Sequence, residues 1–145
     1  MKLTVHTDYG LRVLMTLAVM DGRLVTIDDL ARRHRVSKNH LMKVVQTLVG
    51  LGLVKTVRGR GGGLMLAKAP EDIRMGAVVQ ALETDMALVS CLGNGPSECV
   101  LIGACRLTAA LQRALGSFIA ELDRLSLSDL VAKPQGIRQR LALTA

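Results

Sequence analysis

The stretch TIDDLARRHRVSKNHLMKVVQTLVGLGLV, residues 26–54, contains two amphipathic helical patterns separated by a short break. Thr26 is followed three residues later by Asp29, a pair that resembles a helix capping box with Asp in place of Glu or Gln, so a helix is predicted to begin at Ile27. The letters HRVS then interrupt the pattern, and Ser37 is a suitable cap for a second helix. That helix carries an apolar stripe at helical spacing, formed by Leu41, Val44, Val45 and Leu48. Two short helices joined by such a break predict a helix-turn-helix.

Polar side chains cluster at the start of the second helix, away from its apolar stripe. They belong to Ser37, Lys38, Asn39, His40 and Lys43. In a helix-turn-helix the second helix enters the major groove with its N-terminal residues at the base edges. Asn and Lys hydrogen-bond to bases there. A merely solvated surface is the alternative interpretation, but the position just beyond the turn favours contact with DNA.

A hairpin is predicted directly after the second helix. The short strand-like runs VKTV (54–57) and LML (64–66) flank the glycine-rich sequence RGRGGG. Arg58 and Arg60 stand at the tip, where guanidinium groups can approach a phosphate backbone or a narrow minor groove. A nucleotide-phosphate loop is the alternative, but this run joins two strands instead of opening a helix. The fold predicted is therefore mostly α with a small β wing, a winged helix-turn-helix.

Charge is distributed unevenly along the chain. Residues 1–70 carry 12 Lys and Arg against 4 Asp and Glu, whereas residues 71–145 carry 7 against 8. A one-sided positive field is typical of proteins that bind a polyanion such as DNA. Charges interrupt every apolar run that could cross a membrane, and the N-terminus has no signal-peptide pattern. We therefore expect a cytoplasmic protein with no membrane partner and with reduced thiols.

The second half of the chain predicts a helix for assembly. After Pro70 the sequence EDIRMGAVVQALE begins with acidic residues, as helix N-termini do. Further on, an apolar series recurs at intervals of four, three, four and three residues, formed by Leu111, Leu115, Phe118, Leu122 and Leu125. A period of 3.5 residues is typical of a seam between two helices, so we expect a homodimer; a helix packed on its own domain is the alternative. The predicted organisation is a winged domain (1–83), a cysteine loop (84–105), a dimerisation region (106–132) and a loosely held tail (133–145).

All three cysteines lie in one loop broken by Gly and Pro. Their pattern is Cys91-x7-Cys99-x5-Cys105, which is wider than the close cysteine pairs of zinc fingers. An odd number of thiols leaves one over from any disulfide framework. Thiolates are the soft ligands that iron–sulfur clusters require, and a wide loop can wrap a group larger than one ion. Zinc remains the second interpretation, and three free thiols the third.

The motifs together resemble one bacterial family. They are HTDYGLRVLMTLA (6–18), VSKNHLMKVV (36–45), VRGRGGGLMLAKAPEDIRMGAVV (57–79) and three cysteines before a long helix. The chain is similar to the small winged-helix transcriptional repressors that carry an iron–sulfur cluster, over nearly its whole length. The resemblance implies a homodimer, a bound cluster, [4Fe-4S] in preference to [2Fe-2S], and transcriptional control.

The resemblance also implies a fourth ligand. Family members that regulate cluster assembly use a histidine three residues after the last cysteine, where this chain has Thr108. The nitric-oxide sensors of the family instead carry TDYGLR near the N-terminus, whose aspartate reaches the cluster of the partner protomer. That residue is Asp8 here, from the partner protomer; the alternative is that Asp8 caps the first helix.

The expected function is a repressor that binds palindromic operator DNA and releases it when nitric oxide damages the cluster. A related regulator that senses iron, cluster supply or oxidants is the alternative. A redox enzyme is a third class, but no C-x-x-C occurs. No nucleophile and base can be assembled from His6, His34 and His40, which we expect at the surface or facing DNA.

Overall fold

The computed structural model describes residues 2–143, and its elements follow one another with short connections. The helices are α1 (Val5–Val19), α2 (Ile27–His34), α3 (Lys38–Gly50), α4 (Met75–Leu82), α5 (Arg106–Asp123), α6 (Leu127–Leu130) and α7 (Pro134–Arg140). The strands are β1 (Val54–Val57) and β2 (Gly63–Leu66), and 3₁₀ turns cover Pro70–Asp72 and Ser90–Leu92. The predicted fold class, mostly helical with a small β wing, is confirmed.

The helix-turn-helix forms through the predicted caps. The Thr26 hydroxyl accepts a hydrogen bond from the Asp29 N–H, and the Ser37 hydroxyl accepts one from the His40 N–H. The Asp29 side chain does not complete a capping box, because its carboxylate pairs with Arg32 and Arg33 instead. The predicted stripe of α3 is buried. The two helices therefore form for local reasons and pack through one apolar face.

The wing is an antiparallel hairpin whose register runs from Val54 opposite Leu66 to Val57 opposite Gly63. A further pair of hydrogen bonds joins Leu64 to Val25, at 2.8 and 3.0 Å, and so attaches the wing to the segment before α2. A side chain at Gly63 would lie 2.9 Å from the Val25 carbonyl oxygen, so the close approach requires glycine. The wing is thereby fixed to the helix-turn-helix.

The hydrophobic core lies between α1, α2, α3 and the wing, and it includes residues from far along the chain. Its largest side chains with less than 2% of their surface exposed are Leu14, Leu30, Leu41, Leu48, Ile73 and Leu127. Leu127 belongs to α6, and its N–H donates to the Ile73 carbonyl at 2.8 Å. Thus α6 packs into the winged domain, although the sequence places it in the dimerisation region.

The start of α4 differs from the sequence expectation. Glu71 and Asp72 lie in the 3₁₀ turn, and α4 begins only at Met75. Its first turn is capped from outside, because the Asp123 carboxylate of α5 accepts a hydrogen bond from the Ala77 N–H at 3.0 Å. A side chain at Gly76 would lie 2.7 Å from the Ile119 carbonyl oxygen, so this glycine lets α4 and α5 approach closely.

The tail is also different from the expectation. Residues Pro134–Arg140 form α7, and the Arg138 guanidinium donates two hydrogen bonds to the Val19 carbonyl, at 2.8 and 3.1 Å. Arg33 of α2 donates in turn to the Leu141 and Ala142 carbonyls. The prediction of a loosely held tail is therefore wrong for residues 134–143. Residues 144 and 145 of that predicted segment lie outside the described part of the chain.

Candidate functional site

The polar residues at the start of α3 lie together on the surface. Ser37, Lys38, Asn39, His40 and Lys43 are all exposed, while Leu41 beneath them is buried. The His40 ring meets the Tyr9 ring edge-on, with centroids 6.0 Å apart, so α1 supports this end of α3. The arrangement leaves several exposed polar side chains around the N-terminal end of α3, as a major-groove reader needs.

Lys38 has a partner that sequence reasoning missed. Its ammonium lies 2.8 Å from Asp28 Oδ1 and 2.9 Å from Asp28 Oδ2. Both side chains are exposed. Asp28 lies on α2, ten residues before Lys38, so no helical spacing in the sequence indicates the pair.

The wing tip carries Arg58 and Arg60, which are both exposed. Gly59 and Gly61 alternate with them and have φ values of +101° and +78°, a backbone conformation that favours glycine. In the part of the chain that the structure describes, neither arginine forms a salt bridge. Two free guanidinium groups therefore extend the basic surface beyond α3.

His34 is not a surface group, which corrects the expectation for this histidine. The Thr16 hydroxyl donates to the Arg12 carbonyl at 2.8 Å, and so accepts from His34 Nε2, also at 2.8 Å. Burial lowers the pKa of His34, and the positive charge of Arg12 lowers it further, against a smaller opposite effect of Asp8. A neutral His34 thus joins α1 to the end of α2.

The three cysteines are free thiols at separate positions of one loop. Cys91 lies half-buried in the turn after Val89, Cys99 is exposed, and Cys105 lies half-buried at the residue before α5. The Thr108 hydroxyl lies 3.9 Å from the Cys91 sulfur. The Thr108 side chain and the backbone N–H groups of Thr108 and Leu107 lower the pKa of Cys105. Thr108 therefore lies near two of the three cysteines.

The thiols suit a soft metal group but are not gathered into a finished site within one chain. Among residues 2–143 no three potential ligands come together around one point. The lowered pKa at Cys105 favours the thiolate, which is the form that binds iron. The thiols have the chemistry of iron–sulfur ligands, but within one chain the described residues do not bring the three sulfur atoms together.

Asp8 occupies the first turn of α1 and does not cap it. The cap is Thr4, whose hydroxyl accepts from the Thr7 N–H at 3.2 Å, so the capping alternative for Asp8 is wrong. The Asp8 carboxylate instead pairs with Arg12 one turn later, at 2.7 Å. The Arg12 guanidinium lies 5.7 Å from the centre of the Tyr9 ring. The Asp8 carboxylate is thus half-exposed, and its ion pair with Arg12 restricts its orientation.

The predicted seam of α5 is only partly covered by its own chain. Four of its residues are half-buried, namely Leu111, Leu115, Phe118 and Leu122. No residue of α5 is fully buried, although the helix has 18 residues. Leu115 and Phe118 line a groove of about 410 Å³ together with Met86 and Leu88.

The C-terminal end of the seam belongs to a different environment. Leu122 packs against the core of its own winged domain, and Leu125 lies beyond the end of the helix. The Leu125 carbonyl accepts a hydrogen bond from the Met75 N–H at 2.9 Å. These two residues therefore have structural roles within one chain.

A helix-turn-helix with a basic wing, followed by a long and partly uncovered helix, defines the class of winged-helix transcriptional regulators. Within that class the chain belongs to the Rrf2 family of iron-dependent transcriptional regulators, whose family profile matches residues 3–133. No helix in residues 2–143 is both long enough and apolar enough to span a membrane.

Relatives named HTH-type transcriptional regulator NsrR match almost the whole chain. That of Bacillus licheniformis is 44% identical over 143 residues, which cover 98% of this chain and 100% of the relative. That of Bacillus subtilis is 44% identical over 144 residues, which cover 99% of each chain. These matches confirm the family resemblance and make the chain an NsrR-like regulator.

Solved structures confirm the fold. CymR, the global cysteine regulator of B. subtilis, superposes with a TM-score of 0.74 at 26% identity, covering 91% of this chain and 97% of that one. IscR of T. potens superposes with a TM-score of 0.73 at 25% identity, covering 100% of this chain and 93% of that one. A transcriptional regulator that binds DNA is thus the class of protein that fold and relatives support.

Proposed function

We propose that the chain is an iron–sulfur-dependent repressor that binds palindromic operator DNA as a homodimer and releases it in response to nitric oxide. One observation carries this proposal: a loop of three free thiols leads directly into a helix whose apolar face is only partly covered by its own chain. The same chain has a rigid reading surface on α3. A sensor, an assembly surface and a reader thus occur in one short protein.

Charge and geometry support DNA binding at α3 and the wing. The exposed row from Ser37 to Lys43 would contact base edges, with Asn39 suited to adenine. Arg58 and Arg60 would contact the backbone or the minor groove. The excess of basic residues in 1–70 provides the attraction that does not depend on sequence.

The uncovered face of α5 supports a homodimer. Leu111, Leu115 and Phe118 are only partly buried in the single chain, and burying the rest of their surface against a second copy contributes favourable free energy. A dimer also places two reading helices on one duplex, which a palindromic operator requires.

The donor set supports an iron–sulfur cluster, with [4Fe-4S] favoured over [2Fe-2S]. Cys91, Cys99 and Cys105 would hold it in one protomer, and Asp8 of the partner subunit would supply the fourth ligand. When bound, the cluster would supply iron that nitric oxide can attack. A carboxylate matches that iron less well than a thiolate does, so Asp8 would be the weakest protein ligand.

Contacts between Asp8 and the reading helix support a switch. Asp8 pairs with Arg12 at 2.7 Å, Arg12 lies 5.7 Å from the Tyr9 ring centre, and the Tyr9 ring meets His40. The first two contacts lie within α1, and the third connects α1 to α3. A displacement of Asp8 would therefore be transmitted to the N-terminal end of α3, where base contacts need accurate placement.

The test is a paired measurement on anaerobically purified protein, namely the visible spectrum of the cluster and the affinity for operator DNA, both titrated with nitric oxide. Wild type should lose both together, and Cys99→Ala should lack the cluster and bind the operator weakly from the start. Asn94→Ala changes another exposed residue of the same loop and should behave like wild type. Tight operator binding by Cys99→Ala would contradict the switch.

A second comparison tests Asp8 itself. Asp8→Ala should retain a cluster on three thiolates, react differently with nitric oxide and bind the operator less tightly. Arg12→Gln removes the same ion pair but keeps the carboxylate, so its cluster should react with nitric oxide as that of wild type does, whereas operator release should be weaker because the contact from Asp8 through Arg12 to Tyr9 is lost. If the two variants reacted alike with nitric oxide, the ion pair would explain the effect and Asp8 would not be a ligand.

A further inference from the structure

We propose that Asp28 is a selectivity residue, which lowers affinity for unspecific DNA more than affinity for the operator by holding the Lys38 ammonium. This inference rests on the proposed binding of DNA by α3. It adds a residue of α2 to the determinants of sequence recognition.

The position of the pair is the first step. Asp28 lies in the first turn of α2, and Lys38 is the first residue of α3. The ammonium lies 2.8 and 2.9 Å from the two carboxylate oxygens. The side chains are 71% and 53% exposed for Asp28 and Lys38, so the pair is open to solvent at the N-terminal end of α3, where Asn39 follows Lys38 in sequence. An exposed ion pair of this kind contributes little to folding, so stability alone does not account for it.

The charge environment is the second step. The basic half of the chain has only four acidic residues, and Asp8 and Asp29 pair with arginines of their own helices. Asp28 instead reaches across the turn to the reading helix. A carboxylate beside a polyanion is repelled by the phosphates, and it neutralises the lysine that would otherwise attract them.

The Lys38 ammonium has more hydrogen-bond donors than Asp28 occupies. An ammonium has three N–H donors, and two carboxylate oxygens leave at least one of them free. On the operator that free donor can bond to a base acceptor in the major groove while Asp28 keeps its partner. On a scrambled duplex the base acceptor at this position differs in place or strand, so Lys38 would act mainly as a phosphate contact, and Asp28 weakens that contact by neutralising the lysine charge. The cost therefore falls mainly on unspecific binding.

The experiment measures the affinity of the full-length, cluster-loaded dimer for two duplexes of equal length over a series of salt concentrations. One is an operator selected from a random library by the wild-type protein, and the other has a scrambled sequence. Asp28→Asn should raise scrambled-duplex affinity roughly fivefold and steepen its salt dependence by about one counterion, with a smaller gain on the operator. The ratio of the two affinities should fall.

Glu121→Gln is the matched control, because it also removes one exposed carboxylate that is paired with an arginine, Arg124 on α5. It should leave the affinity ratio unchanged. In a Lys38→Gln background, Asp28→Asn should lose its effect on the ratio. Asp28→Glu should restore part of the selectivity, and thermal unfolding should show that all variants fold.

An equal gain on both duplexes, or an effect that persists without Lys38, would overturn the inference while leaving the proposed DNA binding intact. Weaker operator binding by Asp28→Asn would overturn it as well, because Asp28 would then favour the specific complex directly. If the wild type bound no duplex, the proposed function and this inference would both fail.

Discussion

The winged domain and the cysteine loop use their apolar residues in opposite ways. In the winged domain Leu14, Leu30 and Leu48 have no exposed surface. In the loop Val100 is 95% exposed, and Leu101 and Ile102 are 58% and 59% exposed. The first region completes its core within one chain. The loop contains apolar side chains that a core would normally bury, but its own chain leaves them exposed to solvent. This is expected if the proposed cluster and a second copy of the chain cover the loop.

The largest expected effect comes from truncating one leucine in the core and comparing it with truncation of one leucine in the loop. Leu48→Ala should lower the free energy of unfolding by about 2–5 kcal/mol, because it leaves a cavity in the core. Leu101→Ala should change it by less than about 0.5 kcal/mol in cluster-free protein, because its side chain is already in water. Denaturant unfolding followed by circular dichroism measures both. A large loss for Leu101→Ala would show that the loop is packed in solution.

The next test concerns the two ends of the predicted seam. Leu115→Glu should weaken the dimer by about 2 kcal/mol or more, roughly 30-fold in dissociation constant, since a charge would replace an apolar contact between copies. Leu122→Glu should instead destabilise the chain, because Leu122 packs against its own core. Sedimentation together with thermal unfolding distinguishes the two effects. Gln112→Glu, on the exposed side of α5, is the control.

A smaller effect is expected at the proposed DNA-binding surface, where we propose that Asn39 contacts a base and Arg58 contacts the backbone or minor groove. Asn39→Ala should cost about 1–3 kcal/mol on the operator and little on a scrambled duplex, if Asn39 reads a base pair. Arg58→Ala and Lys43→Ala should weaken both duplexes similarly and reduce the salt slope by about one each. Gln46→Ala, exposed further along α3, is the control. Equal losses for Asn39→Ala on both duplexes would remove it from the base-reading set.

The smallest effect is a pH dependence in the winged domain. Burial and then Arg12 lower the pKa of His34 in the folded state, so the unfolded chain binds more protons near the ordinary histidine pKa of 6.5. Stability should therefore rise with pH through this region and fall as the pH is lowered from about 7.5 to about 5.5. Denaturant midpoints at several pH values measure this. His34→Gln should flatten the dependence, and an unchanged slope in this variant would contradict the assignment.

The parts of the fold that depend on neighbouring residues could be predicted from the sequence. The caps at Thr26 and Ser37 act within three residues, and the buried stripe of α3 repeats within one helix. The sequence predicted the start of α4 too early, at the acidic residues after Pro70. In the structure the Leu127 N–H donates a hydrogen bond to the Ile73 carbonyl, and the acidic residues before Ile73 remain in a 3₁₀ turn. Local preference for acids at a helix start did not prevail over that distant contact.

The candidate site shows the same limit. Residue type and spacing indicated the polar residues at the start of α3 and the three thiols. They did not indicate which other side chains contact these residues. In the sequence, Thr108 is notable only because it stands where some family members have a histidine ligand. In the structure its hydroxyl lies beside the sulfur of Cys91 and lowers the pKa of Cys105. The pair of Asp28 and Lys38 joins two helices across a turn, so no single periodic pattern contains both residues.

The last helix of the chain holds the helices that are synthesised first. Arg138 donates to the Val19 carbonyl across 119 residues, and Arg33 holds the Leu141 carbonyl across 108. A ribosome makes α1, α2 and α3 well before it releases these residues, and N-terminal segments fold during synthesis. The first three helices are therefore made before the residues that hydrogen-bond to Val19 and Arg33. α1 and α2 gain these hydrogen bonds only once the segment 138–142 has been synthesised.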